Sequence, residues 1–242
     1  VENELGAKIF DRSASPLTIT YAEAKYVEAA EKIIGTIQEI YHQNDDLRDT
    51  VAGHIRIGCG PQQSPFIIPS ILKILIEEYP NIQFSLIEDH KQILEKSLLN
   101  GVLDVIVYSG KLNNSSIKSI PVFKEEMLLL APSGYEPVNT FISKDKEFPC
   151  IDLSTMENEP IVLMKKNNQM RAMQDYIFTD NGYAPKVFLE TGHWLTSIRM
   201  VENGLAFTIL PNARTEIEAY KVQKFSFQKD YYREFFIGYR KN

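Results

Sequence analysis

The sequence predicts an α/β fold in which a long helix precedes two consecutive lobes of alternating strands and helices. Three observations carry that expectation. A proline-free run of good helix formers lies near the start, and two β-α-β-α-β successions with short connections follow it. That order builds parallel sheets with helices on their faces. The 242 residues are 44% hydrophobic and 24% charged, with 12 Gly and 12 Pro, ordinary usage that excludes disorder, collagen and a disulfide scaffold and allows one large or two smaller domains.

Asp11-Arg12-Ser13-Ala14-Ser15-Pro16-Leu17-Thr18-Ile19-Thr20 sets turn formers ahead of a short alternating apolar run and reads as a hairpin or wing. From Tyr21 to Arg48 no proline and one glycine, Gly35, occur, which predicts one long helix. Within it Tyr26, Ile33, Ile40 and Leu47 recur every seven residues, and Ala30 and Ile37 stand four after the first two. This is a heptad seam, with Asn44 at a position where a polar residue fixes register and oligomer state. Such a helix packs either on a partner helix or on its own domain, and spacing alone leaves both open. Asp49-Thr50-Val51-Ala52-Gly53 ends it.

In the first lobe, His54–Cys59 reads as a strand broken by Gly60-Pro61. A helix then reaches Tyr79, with Ser64 expected as N-cap and Pro65 at the first helical position. Ile68, Ile71, Leu72, Leu75 and Tyr79 give it an apolar face. Strand Ile82–Glu88, helix Lys91–Asn100 and strand Leu103–Tyr108 follow, then a strand over Glu126–Ala131. The second lobe repeats the order: strand Pro160–Met164, helix Met170–Asn181, strand Lys186–Glu190, helix Trp194–Asn203, and strand Ala206–Leu210 ended by Pro211. Phe235–Tyr239 reads as a strand returning to the first lobe. The domains expected are residues 1–20, 21–50, 51–132 with 230–242, and 133–229.

Charge and chemistry narrow the function classes. Lys plus Arg total 26 against 32 Asp plus Glu, a formal charge of −6. The first fifty residues carry 5 basic and 10 acidic side chains and so hold −5 of it. A chain of this sign does not wrap phosphate backbones as a whole. Cys59 and Cys150 form no C-x-x-C and lack metal-ligand spacing, and read as buried thiols in a reducing compartment. Neither a metal nor a cofactor is expected. No stretch of about 18 apolar residues is present and the first residues do not read as a signal peptide, so a cytoplasmic protein without membrane contact is expected, although a mature secreted chain would look the same. G-x-S-x-G, G-x-x-x-x-G-K-[ST], H-E-x-x-H and G-x-G-x-x-G are all absent, and no enzyme is expected.

The chain resembles a LysR-type transcriptional regulator. The resemblance runs through Val1-Glu2-Asn3-Glu4-Leu5-Gly6-Ala7-Lys8-Ile9-Phe10-Asp11-Arg12 with Leu17-Thr18-Ile19-Thr20, then Ile55-Arg56-Ile57-Gly58, Pro69, Glu78-Tyr79-Pro80, Glu88, Leu99, Gly101 and Leu103-Asp104. It continues through Phe178, Gly182, Pro185, Val201, Gly204 and Ile209-Leu210-Pro211. It implies a winged helix-turn-helix of which residues 1–20 are the end, a linker helix that pairs with a neighbour's, and a two-lobed effector domain like that of periplasmic binding proteins. The implied partners are DNA, a small-molecule effector, and further copies of the chain in a homodimer or homotetramer. Most of the DNA-binding domain would precede Val1, which leaves Arg12 as the residue expected near a phosphate or minor groove. The family usually adds a final helix after the strand matching Phe235–Tyr239, so the first lobe is expected to expose apolar surface.

The resemblance places the effector pocket between the lobes, lined by strand ends and helix N-termini. Four loops supply its candidates. Pro61, Gln62, Gln63 and Ser64 offer amide and hydroxyl donors. Lys91 either pairs an anion or is an exposed loop cation. Lys165-Lys166-Asn167-Asn168-Gln169-Met170, with Asn168 and Met170 at the family's contact positions, favours a polar or anionic ligand. Thr191-Gly192-His193-Trp194 brings a histidine and the one tryptophan. Trp194 either stacks on the ligand or packs at a hinge, and His193 either bonds the effector or is structural. A solute-binding receptor of a transporter shares this fold, but has no use for the heptad seam.

Overall fold

The computed structural model describes residues 10–11, 18–19, 25–26, 29–30, 33–36, 53–137, 139–156, 158–166, 168–213 and 219–241. Strands β1 (Phe10–Asp11) and β2 (Thr18–Ile19) pair antiparallel as the hairpin expected from the turn formers. The described residues from Lys25 to Thr36 are helical. Of the seam, Tyr26 and Ile33 are 42% and 61% exposed and Ala30 is half-buried, whereas Gly35 is buried. Arg12, Ile37, Ile40, Asn44 and Leu47 lie outside the described residues.

The chain forms two compact units, Val1–Ile120 with Phe236–Asn242, and Pro121–Phe235. It passes from one to the other inside two strands, β6 (Ile117–Pro132) and β13 (Tyr232–Arg240). The passages thus fall before the 132/133 boundary and after the 229/230 boundary read from the sequence.

In the first unit β3 (Gly53–Cys59) lies parallel to both β4 (Ile82–Glu88) and β5 (Val105–Ser109), with Cys59 beside Glu88 and Val107. Helices α1 (Ser64–Glu78) and α2 (Lys91–Leu99) are the crossovers. Leu94 and Leu98 of α2 enter a core with Leu103, Ile106, Tyr108, Ile117 and Phe236. Gly58 makes room for them: a Cβ there would stand 2.6 Å from Leu103 Cδ1 and 3.0 Å from both Ile106 Cγ2 and Leu94 Cδ2. Gly58→Ala is therefore expected to destabilise the chain by about 1–3 kcal/mol through overpacking, read as a lower urea midpoint at unchanged slope.

Two local expectations are corrected here. Gln63, not Ser64, is the N-cap of α1, and it makes no side-chain cap bond. Ser64 instead begins the helix and is buried, because the turn closes one residue early through Gln63 and Ser64 N–H donors to the Gly60 carbonyl at 3.0 and 2.9 Å. Tyr79 is 41% exposed: it is the C-cap, in a non-helical conformation, so the periodicity of the apolar face stops at Leu75.

In the second unit β6 pairs antiparallel with β11 (Thr208–Pro211) and β12 (Val222–Phe227). Strand β12 continues to β8 (Cys150–Ile151) and β7 (Thr140–Phe141). Met127 to Ala131 of β6 are fully buried. Strand β6 starts nine residues ahead of the expected Glu126, its exposed first half lacking the apolar run that marks the second. Pro211 closes β11 from within, opposite Met127. A separate pair, β9 (Pro160–Met164) parallel to β10 (Lys186–Thr191), carries helices α3 (Gln169–Asp180) and α4 (Trp194–Glu202). The far end of α3 is held where Asn181 donates to the Ile177 carbonyl and to the Tyr231 hydroxyl. Burial and the Asp180 carboxylate it donates to push the Tyr231 phenol up to about 12, so it stays a donor.

Candidate functional site

Ligands of parallel α/β sheets bind at the carboxyl ends of the strands, and each unit presents one such edge. In the first unit the edge gathers the turn after β3, the loop after β4 and the loop after β5. Asp89 N–H donates to the Cys59 carbonyl at 3.2 Å and binds the first two together. The backbone donors of the α1 start are largely consumed. Gln63 and Ser64 N–H serve Gly60, Pro65 has none, and Phe66 and Ile67 N–H serve the Gln63 carbonyl. Polar recognition here therefore falls to the half-buried side chains of Gln62 and Gln63, with Pro61 exposed beside them.

Lys91 is not an exposed loop cation: it is half-buried and is the first residue of α2. Its Nζ donates to the carbonyls of Ser109, Gly110 and Lys111 at 3.2, 3.0 and 2.8 Å. Since an ammonium has three donors, all are used. The same Nζ lies 5.3 Å from the centre of the Tyr108 ring, and desolvation by burial lowers the Lys91 pKa against the pull of Glu95. Lys91 is a staple fastening the loop after β5 to the start of α2.

The second unit's edge is built on the β9–β10 pair. Thr191 stands beside Met164, and Lys165 N–H donates to the Thr191 carbonyl at 2.9 Å, which joins the two strand ends. Asn168 caps α3: its Oδ1 accepts from Met170 N–H at 2.9 Å, the capping geometry that Asn favours. Thr191 Oγ1 accepts from His193 N–H at 3.2 Å, and His193 is the N-cap of α4 without a side-chain bond. Lys165, Lys166 and His193 are exposed, and Asn168 and Thr191 half-buried. The Glu190 carboxyl is held below its usual range mainly by its bond to Arg171, with further contributions from Lys166 and Lys165. Met170 is buried, and Trp194, 7% exposed, lies with its ring 5.6 Å from the Arg233 guanidinium. Arg233 itself is bound by Glu125 Oε2 from Nη2 at 2.5 Å and stacks on Phe235 at 4.6 Å. Trp194 is thus buried beside Arg233 at the start of α4.

Two residues that sequence reasoning did not single out set this edge. Gln174, fully buried, accepts from Met164 N–H at 2.9 Å and donates to the Ile209 carbonyl at 2.9 Å. Arg171 donates from Nη1 to the Met164 carbonyl at 2.8 Å and to Glu190 at 2.6 Å, and from Nε to Asp175 at 2.8 Å. Both backbone groups of Met164, the last residue of β9, are thereby clasped by α3, and Lys165 follows directly. The signal was available: Met170, Arg171, Gln174, Ile177 and Phe178 form one buried helical face, and two polar members on such a face call for buried partners.

Among the described residues no group of three His, Cys, Asp or Glu side chains is placed to hold a metal ion. Both cysteines are buried, and desolvation pushes the Cys150 thiol up, away from the thiolate that reacts. What both edges offer is hydrogen bonding, and on the second unit positive charge as well.

A family model described as the LysR substrate binding domain matches residues 48–242. The chain is 24% identical over 222 residues to an uncharacterized HTH-type transcriptional regulator, YcgK, of Bacillus subtilis (strain 168), spanning 88% of this chain and 68% of the relative. It is 21% identical over 219 residues to a probable hydrogen peroxide-inducible genes activator of Streptomyces viridosporus, spanning 90% and 68%. Among solved structures, a full-length OxyR variant from Pseudomonas aeruginosa superposes with a TM-score of 0.69 at 22% identity, over 99% of this chain and 76% of that one. CbnR, a LysR family transcriptional regulator, gives 0.70 at 16% identity, over 100% and 80%. The effector binding domain of QuiR in complex with shikimate gives 0.64 at 18%, over 79% and 88%. These likenesses show the two-lobed effector-domain fold.

Proposed function

The chain belongs to the LysR substrate-binding domain family, a family of DNA-binding transcription regulators, and on that premise we propose that it senses a small polar or anionic metabolite. The observation that carries this reading is the second unit's edge, where Lys165, Lys166 and His193 are exposed around Asn168 and Thr191. Gln62 and Gln63 are the first unit's contribution. Lys91, Met170 and Trp194 shape the surroundings rather than touch the effector. The effector acts by binding two states of the regulator unequally, which is the only way a ligand shifts such an equilibrium.

The exposure of Tyr26 and Ile33 supports a linker helix whose seam meets a second copy of the chain, in a dimer or tetramer working in the cytoplasm. DNA is a further partner, with Arg12 near a phosphate or the minor groove, and the chain performs no catalysis. Sedimentation tests the assembly: a strict monomer at micromolar concentration would favour a transport receptor instead.

Asn168 gives the sharpest test of the site. Asn168→Asp keeps the cap oxygen but replaces the amide donor with a negative charge. In a thermal-shift and titration screen of small carboxylates and phosphorylated metabolites, the variant is expected to melt with the wild type and bind its effector about tenfold more weakly, about 1.4 kcal/mol. Gln62→Ala should weaken binding in the same direction. Unchanged affinity in both variants would remove the site assignment.

A further inference from the structure

Helix α2 has two ends with unusual fastenings, and they lie at different functional places. Its first residue is Lys91, whose ammonium is spent on the Ser109, Gly110 and Lys111 carbonyls at the strand-end edge. Its middle is fixed in the core by Leu94 and Leu98. Its C-cap is Asn100, with N–H bonded to the Lys96 carbonyl at 3.0 Å, followed by Gly101.

That second end meets the linker helix. Gly35 is buried there, and a Cβ on it would stand 2.2 Å from the Asn100 carbonyl oxygen, 3.3 Å from the Asn100 carbonyl carbon and 3.4 Å from Gly101 Cα. All three atoms are backbone, so no rotamer change relieves the contact. The helix thus touches α2 main chain to main chain, at a spot where only glycine fits, while Tyr26 and Ile33 remain exposed. The described part of the helix therefore both docks on its own unit at Gly35 and exposes Tyr26 and Ile33. Gly lowers helix stability by about 1 kcal/mol relative to Ala, and the close dock is the physical reason for a glycine at this helical position.

We propose that α2 is a rigid relay between the effector edge and the linker helix. Nine residues at 1.5 Å each make a rod about 13 Å long, anchored in the core by Leu94 and Leu98 and so short that it moves as a body. When an effector disturbs the loop that Lys91 staples, the rod tips and its Asn100 carbonyl moves against Gly35. That re-seats the helix which, in this family, leads to the operator-reading domain. The inference rests on the effector reading given above for the first unit's edge, and it adds the path by which occupancy reaches the DNA-binding side.

The test needs no effector and uses the chain as it is. Amide hydrogen exchange is measured on the wild type, Lys91→Met, Lys91→Arg and Gly35→Ala. Lys91→Met removes all three donors but keeps an apolar stem. It is expected to speed exchange about tenfold, about 1.4 kcal/mol of local opening, both in residues 98–101 and in the segment that carries Gly35, with α3 of the second unit unchanged. Lys91→Arg, which keeps charge and donors, should restore most of the protection. Gly35→Ala should in turn loosen residues 109–111, because coupling free energy is reciprocal. Should Gly35→Ala fail to fold, the two Lys91 variants decide alone. Changes confined to residues 89–91 and 109–111, with the Gly35 segment at wild-type rates, would overturn the relay. Since no ligand is present, that outcome leaves effector binding standing, and a failed effector screen leaves this measurement intact.

Discussion

Asp104→Ala is expected to lower the melting temperature of the chain by about 10 °C. Asp104 accepts from Arg56 Nε at 3.0 Å, from Nη2 at 2.6 Å and from the Arg56 main-chain N–H at 2.8 Å. Its own N–H returns a bond to the Arg56 carbonyl at 2.9 Å. The fork matches guanidinium to carboxylate in the strongest of side-chain geometries, and it ties β3 to the residue leading into β5. The Arg56 side chain is only 7% exposed, so removing this carboxylate breaks a forked, largely buried ion pair, at a cost of about 3–5 kcal/mol. Thermal and urea unfolding read the effect. Asp104→Asn, which keeps acceptors but not charge, should fall between. The double variant Arg56→Met with Asp104→Leu should recover much of the loss, as apolar replacement of a buried pair often does. A loss below about 0.5 kcal/mol in Asp104→Ala, the level of an exposed pair, would refute the argument.

Gln174→Leu is expected to cost about 4 kcal/mol and to abolish effector binding at concentrations that saturate the wild type. The side chain is replaced at nearly constant volume, so no cavity explains the loss. What remains is the Met164 N–H and the Ile209 carbonyl, buried and deprived of their partner, each worth about 1–3 kcal/mol. Binding fails as well because the end of β9 loses one of its two fastenings to α3, and Lys165 and Asn168 are positioned from that end. Urea unfolding gives the stability loss and isothermal titration the binding. Gln174→Glu keeps the acceptor for Met164 but loses the donor to Ile209 and buries a charge, so it should be no better than Leu. A Gln174→Leu variant within 1 kcal/mol of the wild type would show that the clasp does not hold the edge.

The alternation of strands and helices was legible because buried parallel strands such as β5 and β9 read as short apolar runs, and α2, α3 and α4 end in Asn-Gly or near glycine. What escaped was whatever lacks a pattern of its own. Strands β7 and β8 are two residues each, and β12 alternates too weakly to stand out from a loop. The exposed half of β6 carries polar and apolar residues without a buried side to impose a period.

The site shows the same division. Its loops were legible because strand-to-helix junctions are where such folds bind ligands. The work done by Lys91 was not, because the carbonyls it holds lie 18 to 20 residues away. Trp194 likewise depends on Arg233, whose place beside it follows from the return of β13.

That return fixes an order of assembly. Pro121–Phe235 is one continuous stretch, so the second unit can fold as soon as it has been synthesised. The first unit cannot: it waits for Phe236–Asn242, which translation delivers only after the whole second unit. The wait concerns its middle, since β13 lies between β5 and β6, with Phe236 stacked on Tyr108 at 5.8 Å. On the ribosome, where domains fold as units, the second unit is therefore complete before the first. Until then β3, β4 and β5 lack the strand that completes their side of the sheet.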